Sequence, residues 1–177
     1  RLLCRAHERL MRGVRGVEKQ PGEVRRSQNW IGGSRQGTAR FVPPPPDALP
    51  EALGALEAWL HQDDPLPPLV RAGLAHVQFE SIHPFPDGNG RIGRILNVLY
   101  LTRAGLLEIP ILYLSRHITR TKADYYRLLQ AVRTKGAWEE WVLYMLEAVA
   151  ETAQTTLALV EGMRGQIFLV YLVLWLL

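Results

Sequence analysis

The sequence predicts an all-α bundle of five or six helices carrying one small β-hairpin. Apolar residues recur at helical spacing in five separate stretches. Only one short stretch, 28–42, has the glycine-punctuated pattern of paired strands. Prolines and glycines stand between the stretches, where helices would start and stop. The chain has 177 residues, 47% apolar and 21% charged, with mean hydropathy −0.04. That is about one domain with a real core, and far too apolar for a disordered chain.

Taken in order, residues 1–27 form a basic segment whose first ten residues read as the end of a helix. Gln28 to Ile31 and Thr38 to Val42, separated by Gly32, Gly33 and Gly37, read as the hairpin. Pro43 to Pro46 end it, because proline has no N–H to give a neighbouring strand. Leu53, Leu56 and Leu60 make a modest helical stripe, closed by Pro65, Pro67 and Pro68. Val70, Leu74 and Val77 align in the next helix. Ile92, Ile95, Leu96 and Leu99 follow the i, i+3, i+4, i+7 rule, with Gly105 as the stop. Tyr125, Leu128, Leu129 and Val132 repeat it up to Gly136, and Trp138, Trp141, Val142, Met145 and Val149 make the last stripe. Residues 28–165 thus form one core. The tail, 166–177, is apolar on all faces and reads as an oligomer contact or a truncation product rather than a buried helix. The chain begins without Met and reads as a fragment.

Net charge is +4, but residues 1–40 carry 10 basic against 3 acidic residues. Such an excess suits phosphate-bearing partners, although a solvated face explains it as well. The apolar run at Ile167–Leu177 is eleven residues, short of the roughly 20 that span a bilayer. No signal-peptide pattern opens the chain. One cysteine excludes a disulfide framework. A cytoplasmic protein is the expectation.

The chemistry concentrates in His83-Pro84-Phe85-Pro86-Asp87-Gly88-Asn89-Gly90-Arg91-Ile92-Gly93-Arg94, a loop running into a helix start. The amides of Gly88, Asn89 and Gly90 fall where a helix has N–H groups without internal partners and a partial positive charge. Glycine lets a phosphate approach that backbone closely. Arg91 and Arg94, three apart, would project from one side of the helix start with forks that suit phosphate oxygens. Asp87 could hold Mg²⁺ through one carboxylate, phosphate oxygens and water completing the shell. Histidine is the only side-chain type in this stretch that normally titrates near neutrality, so His83 could accept a hydroxyl proton. The site reads as built for a nucleoside triphosphate.

These residues resemble the signature of the Fic family, H-x-F-x-(D/E)-G-N-G-R-x-x-R, at every specified position. The resemblance runs from about residue 8 to about 150, taking in Pro21–Arg25, Gln28–Gly32, Ala39–Pro44, Tyr125-Tyr126 and Trp138–Trp141. It implies a Fic-type helical bundle that transfers AMP from ATP to a Tyr, Thr or Ser hydroxyl of a target protein. By that resemblance His83 would deprotonate the hydroxyl and Asp87 would hold Mg²⁺ at the α- and β-phosphates. Gly88, Asn89 and Gly90 would form the anion hole beside Arg91, and Arg94 would hold the γ-phosphate. Phe85 would anchor the loop in the core, Tyr126 would stack on adenine, and the flap at 28–42 would dock the target as an added strand. The family's inhibitory motif, (S/T)-x-x-x-E-(G/N), has no match here. The nearest is Thr156 with Glu161-Gly162, off by one residue. It would lie upstream of this chain, or an antitoxin-like partner would supply it.

Other readings stand beside this one. Gly88 to Gly93 also spells G-x-G-x-x-G, but without the strand a dinucleotide fold requires before it. His76 reads as a core or surface residue, since no third or fourth zinc ligand accompanies it. Asn97 could face a nucleotide or solvent. Trp138 and Trp141 read as core. The same site could instead remove AMP or transfer another phosphate group. A non-catalytic nucleic-acid-binding regulator, resting on the basic first forty residues, lacks any helix-turn-helix pattern.

Overall fold

The computed structural model of the chain describes residues 1–12 and 20–176, except for the side chains of 36, 165 and 167–176. It is helical, with seven α-helices among the described residues, and divides into two units, Arg1–Pro110 and Ile111–Leu177.

The first unit holds α1 (Leu2–Met11), α2 (Leu49–His61), α3 (Pro68–Ile82) and α4 (Asn89–Arg103). Prolines open two of these helices, Pro50 in the first turn of α2 and Pro68 at the start of α3, where a missing N–H costs nothing. Leu49, Leu56, Ala75, Phe79, Ile82, Phe85 and Ile92 form the core, with Leu3, Leu10, Leu53 and Leu96 packed against it. The loop between α3 and α4 is therefore built into the core through Phe85 rather than laid on the surface. Arg71 on α3 is buried and donates to the Gln62 carbonyl at 2.9 Å, with its guanidinium 4.8 Å from the Trp59 ring centre. It satisfies a carbonyl just beyond the end of α2 while stacking on the helix itself.

The stripe expected on α4 is only partly buried. Ile92 is enclosed, but Ile95 and Leu99 are exposed. The buried residues are Asn89, Ile92, Gly93, Asn97 and Leu101, a face at i, i+3, i+4, i+8 and i+12 that is mostly small or polar. Asn97 faces neither nucleotide nor solvent. Its amide donates to Nδ1 of the fully buried His76 at 3.2 Å. Because Nδ1 accepts, the His76 proton sits on Nε2, which bonds the Gly93 carbonyl. A Cβ on Gly93 would lie 3.0 Å from Glu80 Oε1 and 3.2 Å from both His76 and Phe79. Helices α3 and α4 therefore meet at glycine distance, locked by a buried imidazole.

Burial lowers the His76 pKa to about 4, with Arg94 adding to the effect. The folded protein keeps this ring neutral, whereas the unfolded chain charges it below about 6.5. Stability should hold above that value and fall as the pH drops toward 4, by an amount on the order of 3 kcal/mol. Urea unfolding at about pH 7.5 and about pH 4.5 checks this against His76→Gln, whose amide can make the same two bonds. An equal loss in both proteins would remove His76 as the cause.

The expected hairpin is reduced to a single antiparallel bridge, Ile31 with Phe41, and a 3₁₀ turn at Gln36–Thr38. Gly32 takes φ +75°, and a Cβ on Gly33 would run into the Thr38 carbonyl. The glycines that let the chain reverse so tightly do not sustain a ladder, and the prolines from 43 onward give it no donors.

The second unit holds α5 (Ser115–Arg120), α6 (Lys122–Lys135) and α7 (Trp138–Leu176). Tyr125, Leu128, Leu129 and Val132 are buried, as the periodicity predicts, and Gly136 ends α6 at φ +65°. Tyr125, Trp141 and Tyr144 pack at ring separations of 5.7 to 6.4 Å. Trp141 is core as expected, but Trp138, at the first turn of α7, is 45% exposed. The short α5 was not expected from the sequence. It is tied to α7 by His117 Nδ1, 2.7 Å from Glu151 Oε2, and by the Arg120–Glu151 pair. The backbone of the apolar tail continues α7 to Leu176; its side chains lie outside the described residues.

Candidate active site

Helix α3 ends at Ile82, and His83 follows it as a left-handed cap, φ +48° and ψ 60°. Its amide still donates to Phe79 at 2.9 Å. That backbone is unusual twice over, for a non-glycine residue and for one preceding a proline. The turn swings the imidazole off the helix axis, leaving its side chain 20% exposed. Glu80, one turn earlier and mostly buried, places Oε2 4.0 Å from His83 Nδ1. A carboxylate there favours the proton on Nδ1 and leaves Nε2 as the basic nitrogen.

The loop from Pro84 to Asp87 is closed by Asn89. Its Oδ1 accepts the Phe85 amide at 2.9 Å, and its Nδ2 donates to the Phe85 carbonyl at 2.7 Å. The Asn89 side chain is thus a loop clasp, and its backbone amide has no intrahelical partner. Gly88 caps α4 at φ +78°, and its carbonyl takes the first two intrahelical bonds, from Arg91 and Ile92. The amides of Asn89 and Gly90 come before those bonds, at the positive end of the helix. A Cβ on Gly88 would stand 3.3 Å from Met11 Sδ and 3.4 Å from the His7 ring. Glycine is required there by both φ and space.

The two arginines reach different neighbours. Arg91 Nη2 lies 3.4 Å from Met11 Sδ on α1. Arg94 folds back along α4, its Nη1 3.3 Å from where a Gly90 Cβ would be, with Glu80 Oε1 3.8 Å from the same point. Arg91 thus reaches toward α1, while Arg94 lies over Gly90 on the side of Glu80. Asp87 Oδ1 accepts the Gly88 amide at 2.6 Å. Among the described residues no group of three or more His, Cys, Asp or Glu side chains converges. A lone carboxylate beside a phosphate-type cradle fits Mg²⁺, which keeps water and takes substrate oxygens, and does not fit a fully protein-held metal.

Two groups that hold this loop were not singled out as functional from the sequence. His7 on α1 is fully buried and stacks on Phe85, ring centres 4.0 Å apart and planes 4° from parallel. Its Nδ1 accepts the Gly22 amide at 2.9 Å, so Nε2 carries the proton and donates to the Asp87 carbonyl at 3.0 Å. Burial lowers its pKa, against the Asp87 bond and with help from Arg91. Arg25 is also buried and donates from Nε to the His83 carbonyl at 2.9 Å. A histidine in a basic amphipathic helix and an arginine in a basic segment carry no apolar period, so only their burial marks them.

The family model described as Fic/DOC family matches residues 1–101. The chain belongs to the Fic/DOC family. Among curated Fic relatives, it is 33% identical over 152 residues to "Protein adenylyltransferase Fic" from Culex quinquefasciatus, covering 85% of this chain and 27% of that one. The protein of the same name from Aedes aegypti is 34% identical, with 82% and 26% covered. The chain therefore spans about a quarter of the curated Fic proteins it matches. A Fic family crystal structure from Desulfovibrio desulfuricans superposes with TM-score 0.73 at 31% identity, over 88% of this chain and 46% of that one. Fic-1 from C. elegans gives 0.64 at 26% identity, over 90% and 43%.

The Fic signature lies wholly in the first unit. Tyr126 belongs to the second, where it is half exposed with its ring edge-on to Tyr125, 5.2 Å away. Tyr125 takes the core position, as its stripe predicts. No helix among the described residues is long and apolar enough to cross a membrane.

Proposed function

We propose that this Fic chain carries the catalytic part of a protein adenylyltransferase, moving AMP from ATP to a hydroxyl of a protein target. The observation that carries it is the placing of the His83 ring and the α4 amides at the two ends of one clasped loop, with Asp87 between. The names of the curated relatives support the same reading.

In this reading the triphosphate lies across the start of α4. The amides of Asn89 and Gly90 and the Arg91 guanidinium neutralise the transferring phosphate, and Arg94 holds the γ-phosphate. Mg²⁺, held by Asp87, would offset charge on the phosphate oxygens. His83 Nε2 takes the proton of the target hydroxyl. The hydroxyl oxygen then bonds the α-phosphorus as the bond to the bridging oxygen breaks, and pyrophosphate leaves with that electron pair. Glu80 beside Nδ1 stabilises the imidazolium that results. The site asks little of covalent chemistry and relies on positioning. The target's extended segment would pair with the flap at Ile31 and Phe41, and an antitoxin-like partner or an upstream helix would restrain the enzyme in the cytoplasm.

Incubation with α-labelled ATP, Mg²⁺ and a cell lysate tests the reading. The label should reach protein, and mass spectrometry of the modified residue should give an AMP adduct. A phosphate adduct would reassign the reaction to phosphoryl transfer. Absence of any adduct, on lysate proteins and on the chain itself, would count against transfer altogether.

A further inference from the structure

We propose that Arg25 is a positioning residue for His83 and couples the base of the flap to that histidine. The inference rests on His83 being the base. Arg25 lies 2% exposed, and its described hydrogen bonds all go to carbonyl oxygens. Nε donates to His83 at 2.9 Å, and Nη2 lies 3.5 Å from the Ile82 carbonyl. The Arg25 backbone amide donates to the Pro84 carbonyl at 2.8 Å. One residue therefore holds the carbonyls on both sides of the left-handed turn and the one within it. The remaining contacts run the other way. Nη1 donates to Ser27 at 3.1 Å and Nη2 to Pro44, the two residues that bracket the flap.

The physics favours arginine at this place. The last carbonyls of α3 have no partners in the helix and carry its negative end. A buried guanidinium is tolerable only while several oxygens replace its water. Burial does lower the Arg25 pKa. A planar fork can span four acceptors at once, whereas a lysine ammonium is a point donor on a flexible stem. His83 sits in a conformation that a non-glycine residue before proline keeps only when its surroundings enforce it. Arg25 is the described group that enforces it from the carbonyl side. Since the same guanidinium holds Ser27 and Pro44, a target segment seated on the flap acts on the orientation of His83 through one rigid plane.

The test compares the whole chain with Arg25→Lys, Arg25→Met, Arg25→Ala and His83→Ala. Readouts are ATP·Mg²⁺ affinity by calorimetry and single-turnover AMP transfer, to the chain itself or to a modified lysate protein. Both Lys and Met variants should bind ATP within about threefold of the parent while transfer slows by about 10- to 100-fold. Added guanidinium ion should restore part of the rate to Arg25→Ala and none to His83→Ala. Transfer at the parental rate in a folded Arg25 variant overturns the proposal, and so does equal loss of binding and rate. If no variant folds, NMR of the parent decides: the Arg25 Nε–H should exchange slowly and couple to the His83 carbonyl. Exchange as fast as that of exposed arginines overturns it. Undiminished transfer by His83→Ala would instead remove the base assignment on which the inference stands.

Discussion

In His83→Ala, AMP transfer should slow by about 10²- to 10⁴-fold, the usual contribution of a positioned general base. The affinity for ATP·Mg²⁺ should stay within about threefold, because the groups proposed to bind the phosphates sit on α4 and not on the residue replaced. The side chain is 20% exposed and belongs to none of the core, so little packing is lost. Single-turnover kinetics beside calorimetry separate the two effects. Equal rates in variant and parent would leave the reaction without its base. A loss confined to ATP affinity would place the imidazole in substrate binding instead.

Phe85→Ala should have the largest effect on stability. Phe85 is 1% exposed, lies in the core of the first unit and stacks flat on His7. Truncating a buried phenylalanine costs about 3–5 kcal/mol when the cavity cannot collapse. Here collapse is opposed on two sides, by the His7 ring and by the Asn89 clasp on the Phe85 backbone. Denaturant unfolding should give a lower midpoint, and at low denaturant the surviving fold should bind ATP more weakly, since the loop has lost its anchor. Phe85→Leu should recover much of both. A midpoint shift worth less than about 1 kcal/mol would mean the loop is held mainly by its polar bonds.

The loop to which we assign this chemistry was readable from its letters because glycines, an acid, a histidine and arginines there have few reasons to occur together. Helix α6 was readable because its buried face is apolar: Tyr125, Leu128, Leu129 and Val132 repeat at helical spacing and are core. The helix α4 itself was legible, but its buried face was only partly so, for the opposite reason. Its buried face runs through Gly93 and Asn97, and the apolar residues Ile95 and Leu99 look outward. A search for hydrophobic period gives no weight to a glycine chosen for close approach or to an amide chosen for a buried ring. His7 and Arg25 escaped notice likewise, as polar groups whose partners are backbone atoms up to 80 residues away. The flap was over-read as a hairpin because alternation and glycines forecast a reversal but not the length of its ladder.

The tight seam between α3 and α4 has a mechanical corollary. One of these rods terminates at His83 and the other begins with the amides of Asn89 and Gly90, so the width of the seam at His76 and Gly93 gauges the gap between them, as the pivot of a calliper governs its jaws. A methyl group added at the pivot would touch neither nucleotide nor target, yet its effect would surface as a changed turnover number.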